Sequence, residues 1–564
     1  MERMEVDYTR TDPVDSPLRA RFRTPSDKPL SYAAVGSSPQ AIVAYPQEFS
    51  VAAGDAVDIR YQAELVQVGA SLKRVEVFEA HTHDSLYRLE FDPGVRKLER
   101  EPCKSYYLGC DFAASVSVPT QELSAGLYYV FLTDDKGAQS APVYFHVRPS
   151  KAELQAADAV ILLSELTWHA YNFYGGGSLY GIQRLNGTGQ IDVTQNASSR
   201  LFGASMRRPL ITDPSDARPE FSGVARAEEY FSNPANANPG RLRFTSADRL
   251  AWIRTSPESQ LVVSRYLRAQ GKRTITISQS DIHAEPKLLE GVKLLIITGH
   301  NEYWTSPMID SVTAYLKAGG RIANFSANIM WWQVNLESGT IWQDQLGGTR
   351  TPACAEQLPS QFQGTGLHYV LQNNAADRLF GVNYRFAHYP LSHATQVNAA
   401  DLKNIYKTDP ATIDQSKGKG VVVTVPAHPI YAGLGVSRGQ RIGGDSDLLT
   451  VELDGVPLNP AGRIDRSFPN TFSDRTLVLA TATTFVATLV NSSDGKVTYG
   501  GVKDVGLVVE TQPFGDDSSA RVISFGTIGY TRLIATGDTF FSTLLLNSVN
   551  YLSRRDLSPL PAGQ

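Results

Sequence analysis

The stretch "LIITGHNEYWTSPM", Leu295–Met308, starts as an unbroken apolar run and ends in His300, Asn301, Glu302, Tyr303 and Trp304. An apolar run without polar alternation is what a parallel strand buried on both faces requires. The polar cluster that ends it asks for a crevice at the strand's carboxyl end. Working outward, "DAVILLSE" (158–165) is a second strand of the same kind. "PESQLVVSRYLRAQG" (257–271) has helical spacing with Gly271 at its end, and "KRTITISQSD" (272–281) reads as a strand. "SPMIDSVTAYLKAGG" (306–320) is predicted as a helix stopped by glycines, and "RIANFSAN" (321–328) as a strand. Alternation of strand and helix predicts an α/β domain with a doubly wound parallel sheet.

Upstream, the pattern is different. Residues 1–38 are polar and proline-containing and read as an arm. From Ala41 to Arg148, short alternating β-branched and aromatic runs are separated by Gly, Pro and Asp. They predict an Ig-like β-sandwich over 39–149. The α/β domain then occupies 150–564, interrupted at about 345–500 by short β-like pieces rich in Pro, Gly and Asn, which read as a β-rich insertion packed on the core. The chain returns to the core with "VGLVVET" (505–511), "ARVISFGTIGY" (520–530) and a last helix in 537–555.

The 564 residues suit two or three domains, and 42% hydrophobic with 20% charged residues is ordinary for a globular protein. A formal charge of -4, with no Lys/Arg-rich run, gives no electrostatic reason to expect nucleic acid or an anionic membrane. No 18-residue apolar run and no secretion signal are visible, so the expectation is a cytoplasmic protein acting on a small molecule. Cys103, Cys110 and Cys354 make no disulfide framework. A local Cys103–Cys110 bridge is the pairing to consider, and the missing secretion signal disfavours it.

Ligands of open parallel sheets bind beyond the carboxyl ends of the strands. Four such loops carry chemistry here. The first holds Trp168, His169, Tyr171, Asn172, Tyr174 and Tyr180 around Gly175–Gly177; the second holds Asp281 and His283. The third holds His300, Glu302 and Trp304, and the fourth Asn328, Trp331 and Trp332. A lone histidine is ordinarily a satisfied core group, and Asp281 before His283 could equally be a helix cap. His300 with Glu302 is different, because residues i and i+2 of an extended chain face the same side. No cysteine and no GxSxG lies in these four loops, so a cysteine or serine nucleophile is disfavoured there. Water activated by a metal is the alternative. Oxygen ligands from Glu and Tyr suit a hard cation such as Fe(III), with His300 as base or hydrogen-bond donor.

"TWHAYNFYGGGSLY" (167–180), the run from Asp281 to Asn328 and "IGGDSD" (442–447) together resemble the large (beta) subunit of N,N-dimethylformamidase and its homologues. The resemblance covers most of 40–555 and is firmest in 158–335. It implies a glutamine-amidotransferase-like α/β core and a mononuclear iron site of two tyrosines and one glutamate that hydrolyses an amide C–N bond. Carried over by motif, Glu302 is the carboxylate ligand and Tyr180 a tyrosine ligand, with Tyr171 behind it. His300 and Asn328 then orient or deprotonate water, and Asp445 stands where the family tends to have a glutamate. Trp168, Tyr171, Asn172, Trp304, Asp281 and His283 would contact substrate. The family's "RP" is commonly followed by tyrosine, whereas "MRRPL" places Leu210 there, and Tyr230 is the candidate to replace it. The resemblance also implies a small partner subunit, with a homo-oligomer as the other assembly. The competing reading is a carbohydrate- or peptide-binding protein without turnover, using Trp168, Trp304, Trp331 and Trp332 as stacking surfaces.

Overall fold

The computed structural model describes residues 42–562 except 64–68, 100–108, 186–190, 195–200, 211–256, 345–373, 393–407, 467–471, 491–496, 516–518 and scattered positions within 173–180, 445–451 and 536–555. The N-terminal part is β-rich. Strands Ile42–Pro46, Val57–Ala63 and Ser115–Val118 form one antiparallel sheet. Ser50–Ala52, Val143–Arg148, Gly126–Asp134, Leu72–Glu79 and Ser85–Glu90 form a second, in that order. Side chains from both sheets, among them Ile42, Ile59, Val75, Val77, Val130 and Phe145, share one core. Strand Gly126–Asp134 is buried on both faces, which explains its unbroken "GLYYVFL". Its outer face, with Phe49, Phe78 and Tyr144, packs against Leu163, Trp168 and Leu261 of the α/β part.

The α/β part is built on β1 (Ala159–Leu163), β2 (Thr274–Ser278), β3 (Leu295–His300), β4 (Arg321–Ala327) and β5 (Arg521–Ser524). They are parallel, in the order β2-β1-β3-β4-β5. That is a doubly wound order, and its switch point lies between β1 and β3. Every residue of β1, β2, β3 and β5 is buried. Helices α1 (Glu165–Tyr171), α3 (Gln279–Ala284) and α4 (Ser306–Lys317) pack on one another. So do α2 (Pro257–Ala269), α5 (Gly529–Ala535) and α6 (Thr539–Leu552). Ser278 and Asp281 form a reciprocal capping box at the start of α3. Gly320, just beyond α4, is required by space: a Cβ there would meet Tyr315 at 2.6 Å.

The β-like pieces beyond about 420 are part of the core sheet itself. Val421–Val423, Arg441–Ile442, Thr476–Val490 and Val497–Thr511 extend the central sheet beyond β5 as antiparallel strands, and Tyr389–Pro390 and Val456–Pro457, paired to the two long ones, bring it to eleven strands. Two 15-residue strands joined by a short connection can pair only as an antiparallel hairpin. "VGLVVET" is the end of the second hairpin strand, which joins the central sheet beside β5. Cys110 is disulfide-bonded; Cys103 and Cys354 lie outside the described residues. Among the described residues no helix is long and apolar enough to cross a membrane.

Candidate functional site

β3 carries His300 as its last residue, and Glu302 follows on the same side of the extended chain. Both are buried, at 0% and 2% exposure. Tyr171 is the last residue of α1, the helix that leaves β1, so the two sides of the switch point meet here. The Tyr171 hydroxyl donates to Glu302 Oε2 at 2.8 Å and lies 3.2 Å from His300 Nε2, the two rings meeting edge-on at 5.6 Å. His300 Nε2 is also 3.0 Å from Glu302 Oε2 and 3.1 Å from Glu452 Oε2. A ring nitrogen carries one hydrogen at most, so two carboxylates and a phenol compete for one donor.

The scaffold around this cluster is spent on holding it. Thr167 Oγ1 accepts from Glu302 N at 3.1 Å. Glu165, at the start of α1, accepts from Gln279 N at 2.9 Å and from Ser280 N and Oγ, tying α1 to α3. Burial pushes Glu165 up to about 7 despite those bonds. At the other end of α1, fully buried Arg208 of "MRRPL" donates to the carbonyls of His169, Tyr174 and Ser205. Burial, with the Arg208 charge, lowers His169 to about 3. Leu210 packs with Met206 against the apolar cluster at the domain junction.

β4 ends in a strained turn. Asn328 and Met330 hold φ of 55° and 53°, conformations costly for residues with a Cβ. The amides of Asn328 and Ile329 donate to the two carboxylate oxygens of Asp454 at 2.8 and 3.0 Å. Burial, with the nearby Glu452 charge, pushes Asp454 up to about 8 against the pull of those amides. His300 Nδ1, Asn301 Oδ1 and Asn328 Oδ1 have no hydrogen-bond partner among the described residues. An unmet buried polar atom costs about 1–3 kcal/mol, so three of them at adjacent strand ends are unusual for pure packing.

The other expected residues fall as follows. Trp168 and Trp304 are fully buried; Trp168 meets Phe49 edge-on at 5.9 Å, and Trp304 Nε1 donates to Asn301 O at 2.8 Å. Asn172 Nδ2 donates to Pro209 O, and its Oδ1 accepts from Tyr174 N. Asp281 faces away from the cluster and binds His146 and Arg148 of the β-rich part, at 3.3 and 2.7 Å. His283 Nδ1 pairs with Thr305 Oγ1 at 2.9 Å. Tyr180, Tyr230 and Asp445 lie outside the described residues.

Sequence reading passed over Glu452 and Asp454. Their signal was present in "VELDG" (451–455), two carboxylates at i and i+2, the same spacing that singled out His300 and Glu302. Among the described residues no group of three or more His, Cys, Asp and Glu side chains is arranged to hold a metal ion, so an ion here would draw on tyrosine as well.

Comparison with known proteins gives one informative match. No curated protein matches the chain. Among solved structures, a cycloisomaltooligosaccharide glucanotransferase of Paenibacillus sp., complexed with cycloisomaltoheptaose, is 8% identical with a TM-score of 0.16. The match covers 50% of this chain and 52% of that one, so the chain spans about half the length of that enzyme, and the likeness is too slight to carry an argument. Residues 102–538, which include Tyr171, His300, Glu302 and Glu452, match the family described as N,N-dimethylformamidase beta subunit-like, C-terminal. The chain belongs to the N,N-dimethylformamidase beta subunit-like family.

Proposed function

We propose that this chain hydrolyses an amide or a related C–N bond at the Tyr171–His300–Glu302–Glu452 cluster. The observation that carries the reading is the position of His300 Nε2, 3.0 Å from one carboxylate and 3.1 Å from another, beside a phenol at the sheet's switch point. The family's description, which speaks of N,N-dimethylformamidase, supports the reaction class. Hydrolysis needs a proton taken from water as it attacks the carbonyl and a proton given to the leaving nitrogen. His300 Nε2 is hydrogen-bonded to Glu302 with Glu452 Oε2 3.1 Å away, so either carboxylate can take the water's proton while the imidazole passes its own to the amine and is reprotonated by that carboxylic acid. The side-chain amide of Asn328, on the turn held by Asp454, is the donor for the developing oxyanion.

Iron belongs to this reading through donor chemistry. Tyr171, Glu302 and Glu452 bring hard oxygens to one point, which suits a hard cation. Tyr171 and Glu302 would hold it, with Tyr180 or Tyr230 as a further phenol. Bound there, it would supply the Lewis acidity that makes water nucleophilic near neutral pH. The family's description also names a beta subunit, so a second chain forms part of the proposal.

The binding-only alternative relied on tryptophan stacking surfaces, of which Trp168 and Trp304 are fully buried. The deciding experiment combines elemental analysis, absorbance spectrum and native mass of fresh protein with amine release from a panel of simple amides. Stoichiometric iron, a phenolate-to-Fe(III) band and turnover are expected. Absence of turnover across the panel would refute hydrolysis, and metal-free turnover would refute the iron alone.

A further inference from the structure

Beside the segment that carries Glu302 lies a group of aromatic rings that the hydrolytic reading leaves unused. Residues 301–304 and 330–334 run side by side: Met330 N donates to Asn301 O, Trp332 N to Glu302 O and Val334 N to Trp304 O. Tyr303 pairs with Trp332 in parallel register. Trp331 directly precedes Trp332, whose amide is bonded to Glu302 O, so the aromatic group begins where the chain passes the backbone of Glu302. Trp331 meets Tyr384 edge-on at 4.8 Å and Trp332 at 6.0 Å. Tyr384 stacks on His388 at 4.3 Å, and Tyr389 stands edge-on to both, at 5.9 and 5.3 Å. The far end of the group is tied in turn to the second carboxylate strand, because Leu453, next to Glu452, donates its amide to His388 O at 2.9 Å.

Trp331 and Tyr384 are 8% and 7% exposed, whereas Trp332, His388 and Tyr389 are half-buried, so the group grades from the cluster outward to solvent. Met330 and His388, at its two ends, hold positive φ of 53° and 32°. Strain of that kind persists where the surroundings fix it and gathers at ligand sites. Burial lowers His388 to about 3, so its ring is neutral near neutral pH. None of the five rings carries a charge there.

We propose that Trp331, Trp332, Tyr384, His388 and Tyr389 form the subsite for an uncharged aromatic substituent of the substrate amide. The proposal rests on the reading of the cluster as an amide hydrolase. With the amide carbonyl at the cluster, the substituent extends from Glu302 toward the ring of Trp331. Rings already set edge-on to one another accept a further ring in the same geometry, which aromatic pairs prefer. A small dialkyl amide reaches the cluster but leaves this surface wet.

The test measures binding without turnover, by calorimetry on the full-length Glu302→Gln protein. N-benzylformamide is expected to bind at least about tenfold more tightly than N,N-dimethylformamide, the order of discrimination an apolar pocket gives. Trp331→Leu, added to Glu302→Gln, should bring the two within about threefold while leaving N,N-dimethylformamide unchanged. Equal binding of the two amides to Glu302→Gln overturns the proposal by itself, even if the Trp331 variant does not fold. Tighter binding of benzyltrimethylammonium than of N-benzylformamide also overturns it, in favour of a cation site. Because no turnover is scored, failure of discrimination leaves hydrolysis standing, and failure of hydrolysis leaves this result readable.

Discussion

The two buried histidine–carboxylate groups at His146 and His300 are built differently. At the junction between the β-rich part and the α/β part, His146 is fully buried with both ring nitrogens met. Nδ1 lies 3.1 Å from Ser50 Oγ and 3.3 Å from Asp281, and Nε2 lies 3.2 Å from Thr276 O. Asp281 in turn receives Arg148 Nε and caps α3. At the switch point, His300 has two carboxylates on one nitrogen and no partner for the other among the described residues. A buried histidine beside a carboxylate is therefore no sign of a site. Unequal accounting of donors and acceptors is the sign, since packing alone gives no reason to keep it.

The sharpest way to break this contrast is Glu452→Gln, at the carboxylate the motifs did not mark. Amine release is expected to fall about 100-fold or more, the usual worth of a positioned acid–base group, with little change in the melting profile. Ordinary turnover in that variant would remove Glu452 from the mechanism. Asp281→Ala should do the reverse. Leaving buried His146 and half-buried Arg148 without their shared carboxylate is expected to cost about 3 kcal/mol in urea unfolding, while the folded fraction keeps its turnover. A melting profile unchanged by Asp281→Ala would show that the junction is not held by charge.

pH separates the two regions by sign. Burial raises Glu79 and Asp281 at the junction, but bonds from His81 and Thr82 hold Glu79 at about 2, and His146, Ser50 and Arg148 hold Asp281 below the usual carboxylate range. Folded values below unfolded ones stabilise above about pH 4 and lose that contribution as pH falls through them. Glu165 and Asp454, raised by burial to about 7 and about 8, behave oppositely. Their contribution is complete below about pH 4 and is lost as pH rises toward 8. Urea unfolding across pH should show Asp281→Asn flattening the acid limb and Asp454→Asn flattening the limb between about pH 4 and 8. The same limb flattened by both variants would contradict the assignment. The smallest expected effect is Ser278→Ala, which removes the α3 capping box for about 1 kcal/mol without touching turnover.

The parallel core could be read from the sequence because strands buried on both faces leave no polar alternation, as in "DAVILL" and "LLIITGH". The 476–511 hairpin could not, since pairing partners across a sheet leave no mark on either strand alone. His300 and Glu302 stood out because spacing within one loop fixes their common side. Glu452 needed the fold, which brings a segment 150 residues later against the same nitrogen. Trp168 and Trp304 show the converse: residue type suggested a contact surface, and exposure is what the sequence does not encode.

The central claim is that the cluster around Glu302 performs hydrolysis rather than holding the sheet's end together. Amine release per folded molecule in Glu302→Gln, measured beside Asp281→Asn under the same conditions, tests it most directly. Glu302→Gln is expected to lose about 100-fold or more at an unchanged melting temperature, and Asp281→Asn to retain turnover at a lowered one. Full turnover in Glu302→Gln, with the destabilisation falling there instead, would contradict it.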